Sequence, residues 1–115
     1  GHIVLIGSLM QHGASSHAVY AASKGGLVGL LTALAHRSGV PGTRAALATV
    51  GYVDTELSRE LASEARQRIV DHCPMRRPAN DAEIAEAVWF LAGEGAVAFD
   101  GRALHVAGGM REVPQ

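Results

Sequence analysis

Apolar and polar positions fall into blocks with different periods along the chain. Ile3-Val4-Leu5-Ile6 is a continuous aliphatic run, the pattern of a strand covered on both faces in a parallel sheet. Gly7-Ser8 ends it, and a polar loop follows through Ser15 and Ser16. Leu27, Leu30, Leu31 and Leu34 then recur at i, i+3, i+4 and i+7, one apolar stripe of a helix, with Gly39, Pro41 and Gly42 as its stop. Arg44 to Val50 predicts a second strand. Its place between two helical segments argues for this more than its alanines do, since alanine is a poor strand former. Leu57, Leu61, Ala65 and Ile69 repeat every four residues and predict an amphipathic helix ending before Pro74. Arg76-Arg77-Pro78 reads as a loop. Asn80 and Glu83 have capping-box spacing, with Ile84, Val88, Trp89 and Leu91 at helical spacing behind them. Ala103 to Val106, closed by Gly108-Gly109, predicts a third strand.

The order is strand, helix, strand, two helices, strand. Such alternation predicts an α/β fold, a parallel sheet with helices packed on it. A first strand this apolar is unsuited to a free edge and calls for a neighbour. At 115 residues, 48% hydrophobic and 18% charged, the chain is expected to form one domain over residues 1–115 with a real core. Ten basic and eleven acidic side chains leave a charge of −1, which excludes a polybasic nucleic-acid arm and an acidic solvating tail. Cys73, the single cysteine, excludes an intrachain disulfide and reads as a small hydrophobe before Pro74. The six histidines (His2, His12, His17, His36, His72 and His105) have no paired spacing, so no metal site is expected. The best apolar stretch, Leu27 to Ala35, is half the ~18 residues of a membrane span. With no basic-then-apolar leader, a cytoplasmic chain without membrane or nucleic-acid partners is expected.

One constellation carries chemistry. Tyr20 and Lys24 stand four apart at the front of the leucine-striped helix, so both project from one face. Lys24 is the only lysine; the nine other cations are arginine. An ammonium beside a phenol stabilises the phenolate, which equips the tyrosine to give or take a proton near neutral pH. Ser8 and Gly51 follow the first and second strands, and open α/β sheets bind ligands beyond the carboxyl ends of their strands. Taken alone, Tyr-x-x-x-Lys is weak, since any helix can contain it. His12 and His17 flank the loop before Tyr20, where ordinary loop polarity explains them as well as substrate contact does. Met10 suits a pocket wall or plain packing equally. Arg76-Arg77 reads as a solvated turn, and Trp89 and Phe90 as core or interface anchors.

The surrounding residues change the odds. Gly-x-Ile-Val-x-Ile-x-Ser, then Tyr-Ala-Ala-Ser-Lys-Gly-Gly-Leu, Gly-Tyr-Val-Asp-Thr, Asp-Ala-Glu-Ile-Ala-Glu-Ala-Val-Trp-Phe-Leu-Ala and His-Val-Ala-Gly-Gly-Met closely resemble the short-chain dehydrogenase/reductase family. The resemblance runs in register through essentially the whole chain and covers the carboxyl-terminal half of that family's domain. It implies a partial Rossmann-like, doubly wound parallel sheet whose amino-terminal nucleotide-binding half lies outside these residues. It further implies an unusual left-handed connection between the last two strands, placing the Leu27–Leu34 and Ile84–Leu91 helices on opposite faces.

By this resemblance Ser8 would hydrogen-bond the substrate oxygen and Tyr20 would pass a proton to or from it. Lys24 would stabilise the Tyr20 phenolate and hold the nicotinamide ribose. The backbone at Gly51 and Val53, with the Thr55 hydroxyl, would contact the nicotinamide end. The implied reaction is hydride transfer between NAD or NADP and a small-molecule carbonyl or secondary alcohol. Departures from the family pattern are equally legible. No Gly-x-Gly-x-x-Gly segment exists here, Ala46 to Gly51 lacks the family's proline, Ala107 replaces its aspartate, and Ser8 to Tyr20 is one residue shorter than usual. The chain by itself is therefore expected to bind NAD(P)H weakly. A homo-oligomer, a partner chain supplying the other half, or a longer polypeptide of which these residues are one part, is expected. The rival expectation is a non-catalytic oligomerisation partner or degenerate fragment of the family.

Overall fold

The computed structural model describes residues 1–36 and 42–115. Strands β1 (His2–Ser8), β2 (Arg44–Val50) and β3 (Ala103–Val106) form one parallel sheet in the order β1-β2-β3. Ser8 is level with Val50, and Val50 with Val106, so the three carboxyl ends meet at one edge. Side chains alternate across the sheet, and each face has its own cover. Helix α1 (Ala18–Ala35) lays Leu27, Leu31 and Leu34 on Leu5, Ala45 and Leu47. Helix α4 (Asp81–Ala92) sets Leu91 on the other face, against Ala46 and Ala48, with Val4, Leu104 and Val106 alongside.

The two helices lie on opposite faces, as the family resemblance implies. With parallel strands in sequential order, connections over opposite faces must have opposite hands. One of them therefore runs against the usual right-handed rule. Burial on both faces also explains the alanines of β2. Residues 45–50 are all buried, and small side chains there let both helices come close to the strand. Packing thus overrides a poor strand propensity.

Several expectations change. Helix α1 begins at Ala18, well ahead of Leu27, so by length and composition alone it is long and apolar enough to cross a membrane; it lies on the sheet instead. Leu30 is 44% exposed: the sheet-facing line is Leu27, Leu31 and Leu34, and Leu30 falls to its side. The single helix expected over Leu57 to Ile69 is two, α2 (Glu56–Arg59) and α3 (Ser63–His72). The chain leaves the helix between Glu60 and Ala62, so Leu57 and Ile69 stand on different helices and need not share one buried face. Leu57 is accordingly 77% exposed, while Ile69 reaches the cluster of Leu9, Cys73, Ala107 and Met110.

The capping box at Asn80 and Glu83 forms as its spacing predicts. Of the core and interface readings of Trp89, its 81% exposure excludes the core one; Phe90 packs edge-on against Phe99, with ring centres 5.4 Å apart. Two 3₁₀ turns, Leu9–His12 and Glu94–Phe99, occupy segments without a helical pattern. Gly42 turns the chain at φ +79°, whereas Gly39 and Pro41, also read as helix stops, lie outside the described residues.

These placements give a contrast in stability. Leu47→Ala, in the fully buried centre of β2, should cost about 2–5 kcal/mol. Leu30→Ala, on the same helix-sheet layer but exposed, should change stability by no more than about 0.5 kcal/mol. Urea denaturation followed by circular dichroism measures both, and equal losses would refute the assigned sheet-facing line.

Candidate active site

Ser8 ends β1 and caps the 3₁₀ turn that follows. Its extended backbone (φ −147°, ψ 151°) turns the side chain back, and Oγ accepts a hydrogen bond from the Met10 N–H at 3.2 Å. Gln11 closes the box by accepting the Ser8 N–H on Oε1 at 3.3 Å. Since the Met10 N–H is received by a lone pair, the Ser8 hydroxyl proton remains available for an acceptor outside the turn.

Tyr20 and Lys24 stand one turn apart at the start of α1. Lys24 Nζ lies 5.8 Å from the centre of the Tyr20 ring and donates to the Ile6 carbonyl at 3.0 Å. The sheet backbone thus fixes an ammonium near the phenol ring, two residues before Ser8. Roughly half of Tyr20 (45%) is exposed, which leaves the phenol accessible to a ligand at this edge. The Ser8 hydroxyl bonds within its own turn, not to Tyr20.

Gly51 to Thr55 leave β2 at the same edge. The Gly51 N–H donates to Val106 O at 3.2 Å. Val53 forms an isolated bridge with Ala79, whose N–H and C=O bond to Tyr52 O and Asp54 N, both at 2.9 Å. Thr55 caps α2, accepting the Ser58 N–H on its hydroxyl oxygen at 3.2 Å. The Arg59 guanidinium grips Asp54 through two bonds of 2.9 and 3.1 Å and holds its carboxyl below the usual carboxylate range. A second clamp secures Ala79 from the other side. Arg77 holds both oxygens of Glu83 at 2.9 and 2.6 Å, and Glu83 Oε2 accepts the Asn80 N–H at 2.9 Å.

The structure therefore brings Tyr20 and Lys24 together, ties Lys24 to β1, and places Ser8 and Gly51 on neighbouring strand ends. Val53 and Thr55 lie further along the loop from Gly51. His17 precedes α1 and pairs with the Ser16 hydroxyl at 2.8 Å; the His12 ring meets Gln11. Of the expected arginine pair, Arg77 is absorbed by Glu83 and Arg76 donates to Asp71 O. Cys73 is buried, as a small hydrophobe should be. Gln11 makes contacts that composition and periodicity do not single out. A signal for it exists nonetheless, because Ser8-x-x-Gln11 is itself a capping-box spacing.

A parallel, Rossmann-like half-sheet with a tyrosine–lysine pair at its carboxyl edge defines a class of α/β protein, and comparison with known proteins places the chain within it. A family model described as Enoyl-(Acyl carrier protein) reductase matches residues 1–111. The chain belongs to the short-chain dehydrogenase/reductase family. It is 37% identical over 111 residues to the Escherichia coli 3-oxoacyl-[acyl-carrier-protein] reductase FabG, a match covering 96% of this chain and 46% of that protein. Among solved structures it resembles a 3-oxoacyl-[acyl-carrier protein] reductase from Brucella melitensis, with TM-score 0.89, 27% identity, and coverage of 98% of this chain and 43% of that one. A second reductase so named from that organism, solved with bound NAD, gives TM-score 0.85 and 26% identity over 98% of this chain and 42% of its own. The chain thus spans about half the length of the relatives it matches.

The family implies a nicotinamide dinucleotide, and the residues present fit one end of it. An accessible phenol, a fixed ammonium and the backbone of residues 51–55 share one edge. Among the described residues, no glycine-rich turn from strand to helix is present to hold a pyrophosphate.

The Arg77–Glu83 clamp gives a pH dependence. The Arg77 guanidinium, then the Asn80 N–H, pull the Glu83 carboxyl down from 4.5 to about 2. Its contribution to stability is present above pH 4.5 and disappears as pH falls towards 2. Glu83→Gln should therefore lower the urea midpoint at pH 6 and have a shrinking effect as pH approaches 2. A pH-independent difference would contradict the clamp.

Proposed function

We propose that this chain is the substrate-binding and proton-transfer half of an NAD(P)-dependent oxidoreductase that interconverts a carbonyl and a secondary alcohol. The observation that carries this reading is Lys24, the only lysine, bonded to the sheet backbone at Ile6 and set beside the Tyr20 ring. A surface lysine has no need of such a fixed place. The relatives, named as 3-oxoacyl-[acyl-carrier-protein] reductases, support a 3-oxoacyl thioester as the first substrate to try.

In the reducing direction the Ser8 hydroxyl donates to the substrate oxygen, a role left open by its bond from Met10. The Tyr20 phenol transfers its proton to that oxygen as the carbonyl becomes an alcohol. The resulting phenolate is stabilised by the Lys24 ammonium, which would also hold the nicotinamide ribose. The backbone at Gly51 and Val53, with Thr55, would hold the nicotinamide end. When bound, the nicotinamide supplies the hydride chemistry. Catalysis on this reading requires a dinucleotide-binding half, from the same polypeptide or another. The cytoplasm is the proposed location, and a homo-oligomer the proposed assembly. Val19, Val28 and Leu30 leave apolar surface exposed on α1, which supports association and also the rival reading of a non-catalytic partner.

Two measurements test the proposal. Fluorescence titration of these 115 residues with NADH and NADPH should show weak binding; tight binding would refute the need for a second half. In the enzyme assembled with its dinucleotide-binding half, Tyr20→Phe should lower kcat on a short 3-oxoacyl thioester by about 10²–10⁴-fold. An unchanged rate would refute the catalytic role of Tyr20 and favour the non-catalytic partner.

A further inference from the structure

Gln11 joins the carboxyl end of the strand carrying Ser8 to that of the strand leading into Gly51. Its Oε1 accepts the Ser8 N–H at 3.3 Å, and its Nε2 donates to Thr49 Oγ1 at 3.2 Å. Thr49 is fully buried, the only buried polar side chain among the described residues. This amide is what supplies its hydroxyl with a bond across from the 3₁₀ turn. Two glycines leave room for the arrangement. A Cβ on Gly7 would stand 2.5 Å from Gln11 Oε1, inside any tolerable contact. A Cβ on Gly25 would stand 3.2 Å from the Gln11 carbonyl oxygen, so α1 approaches the turn closely at the residue after Lys24. Gln11 is therefore held among β1, β2 and α1, the three elements that position Ser8, Gly51, and Tyr20 with Lys24.

We propose that Gln11 is a positioning residue for Ser8. Its amide fixes the 3₁₀ turn, the turn's Met10 N–H fixes the Ser8 Oγ rotamer, and the free hydroxyl proton is thereby aimed at the substrate oxygen. This rests on the catalytic reading of Ser8 given above. The physical requirement is reach: the amide must span from the Ser8 N–H to the Thr49 hydroxyl, and glutamine is long enough where asparagine, one methylene shorter, is not. Length also predicts which replacement works. Glutamate keeps an acceptor for the Ser8 N–H, and the Thr49 hydroxyl can rotate to donate to its second oxygen.

The test has two arms. Hydrogen exchange in the full chain reads the geometry without reference to catalysis: Gln11→Asn should lose amide protection at Ser8 and Met10 while leaving Leu5 and Leu47 protected. Unchanged protection at Ser8 would overturn the proposal whatever the protein catalyses. Kinetics in the assembled enzyme, with a short 3-oxoacyl thioester and NADPH, read the consequence. Gln11→Asn should lower kcat by about 10–100-fold, as a small misplacement of a reacting group does, with little change in KM, and Gln11→Glu should recover most of the rate. Tyr20→Phe distinguishes the two failures. If it leaves the rate intact, the catalytic reading itself is wrong; if it abolishes the rate while Gln11→Asn keeps kcat, only the positioning role is wrong.

Discussion

A central strand enclosed by helices on both faces is the constraint from which the rest follows. Burial of β2 along residues 45–50 leaves no solvent-facing side, so polar groups there must find partners inside. Alanine dominates because a helix sits above and below. Leu47 fills the gap under Leu31, while Ala46 and Ala48 admit Leu91 from the opposite side. The same enclosure forces the two crossovers to different faces and hence to opposite hands. It also creates one polar exception, Thr49, whose hydroxyl needs a bond that only a neighbouring element can give.

That enclosure also builds the candidate site. Parallel strands deliver their carboxyl ends to one edge, so Ser8, Gly51 and the glycines after β3 arrive together without any contact between them in sequence. Helix α1 is pinned to the sheet by its leucines, which fixes where its first turns stand. Lys24 then reaches the Ile6 carbonyl and Tyr20 lies beside it. The placement of these side chains at this edge is thus a consequence of packing further down the strands. Outside it, the Arg59–Asp54 and Arg77–Glu83 pairs secure the loop of residues 51–55 and its partner segment around Ala79. Being exposed, they contribute to local order more than to overall stability.

Much was legible in the residues alone because it depends on local rules. An unbroken aliphatic run marks β1, the Asn80–Glu83 spacing marks the start of α4, and the motif around Tyr20 and Lys24 marks the family. Periodicity went wrong where it was too coarse. Four-residue spacing from Leu57 to Ile69 suggested one continuous helix, but the chain breaks at 60–62, and Leu30 and Trp89 matched helical spacing yet stand exposed. An apolar residue at the right interval says that a helix exists; which side it buries depends on what lies against it.

The sequence by itself determined the three strands, the parallel α/β class and, through its resemblance to a family, the candidate groups Ser8, Tyr20, Lys24, Gly51, Val53 and Thr55. The elements follow from composition, spacing and local hydrogen bonding, and the candidate groups from the motifs that carry the resemblance. Only the tertiary structure decided that Lys24 is held by the Ile6 carbonyl, that Thr49 is buried and bonded to Gln11, and that the leucine line facing the sheet omits Leu30. Each of these is a contact between residues distant in sequence. Its partner is set by how two helices and two strands close around β2, and no local pattern encodes that closure.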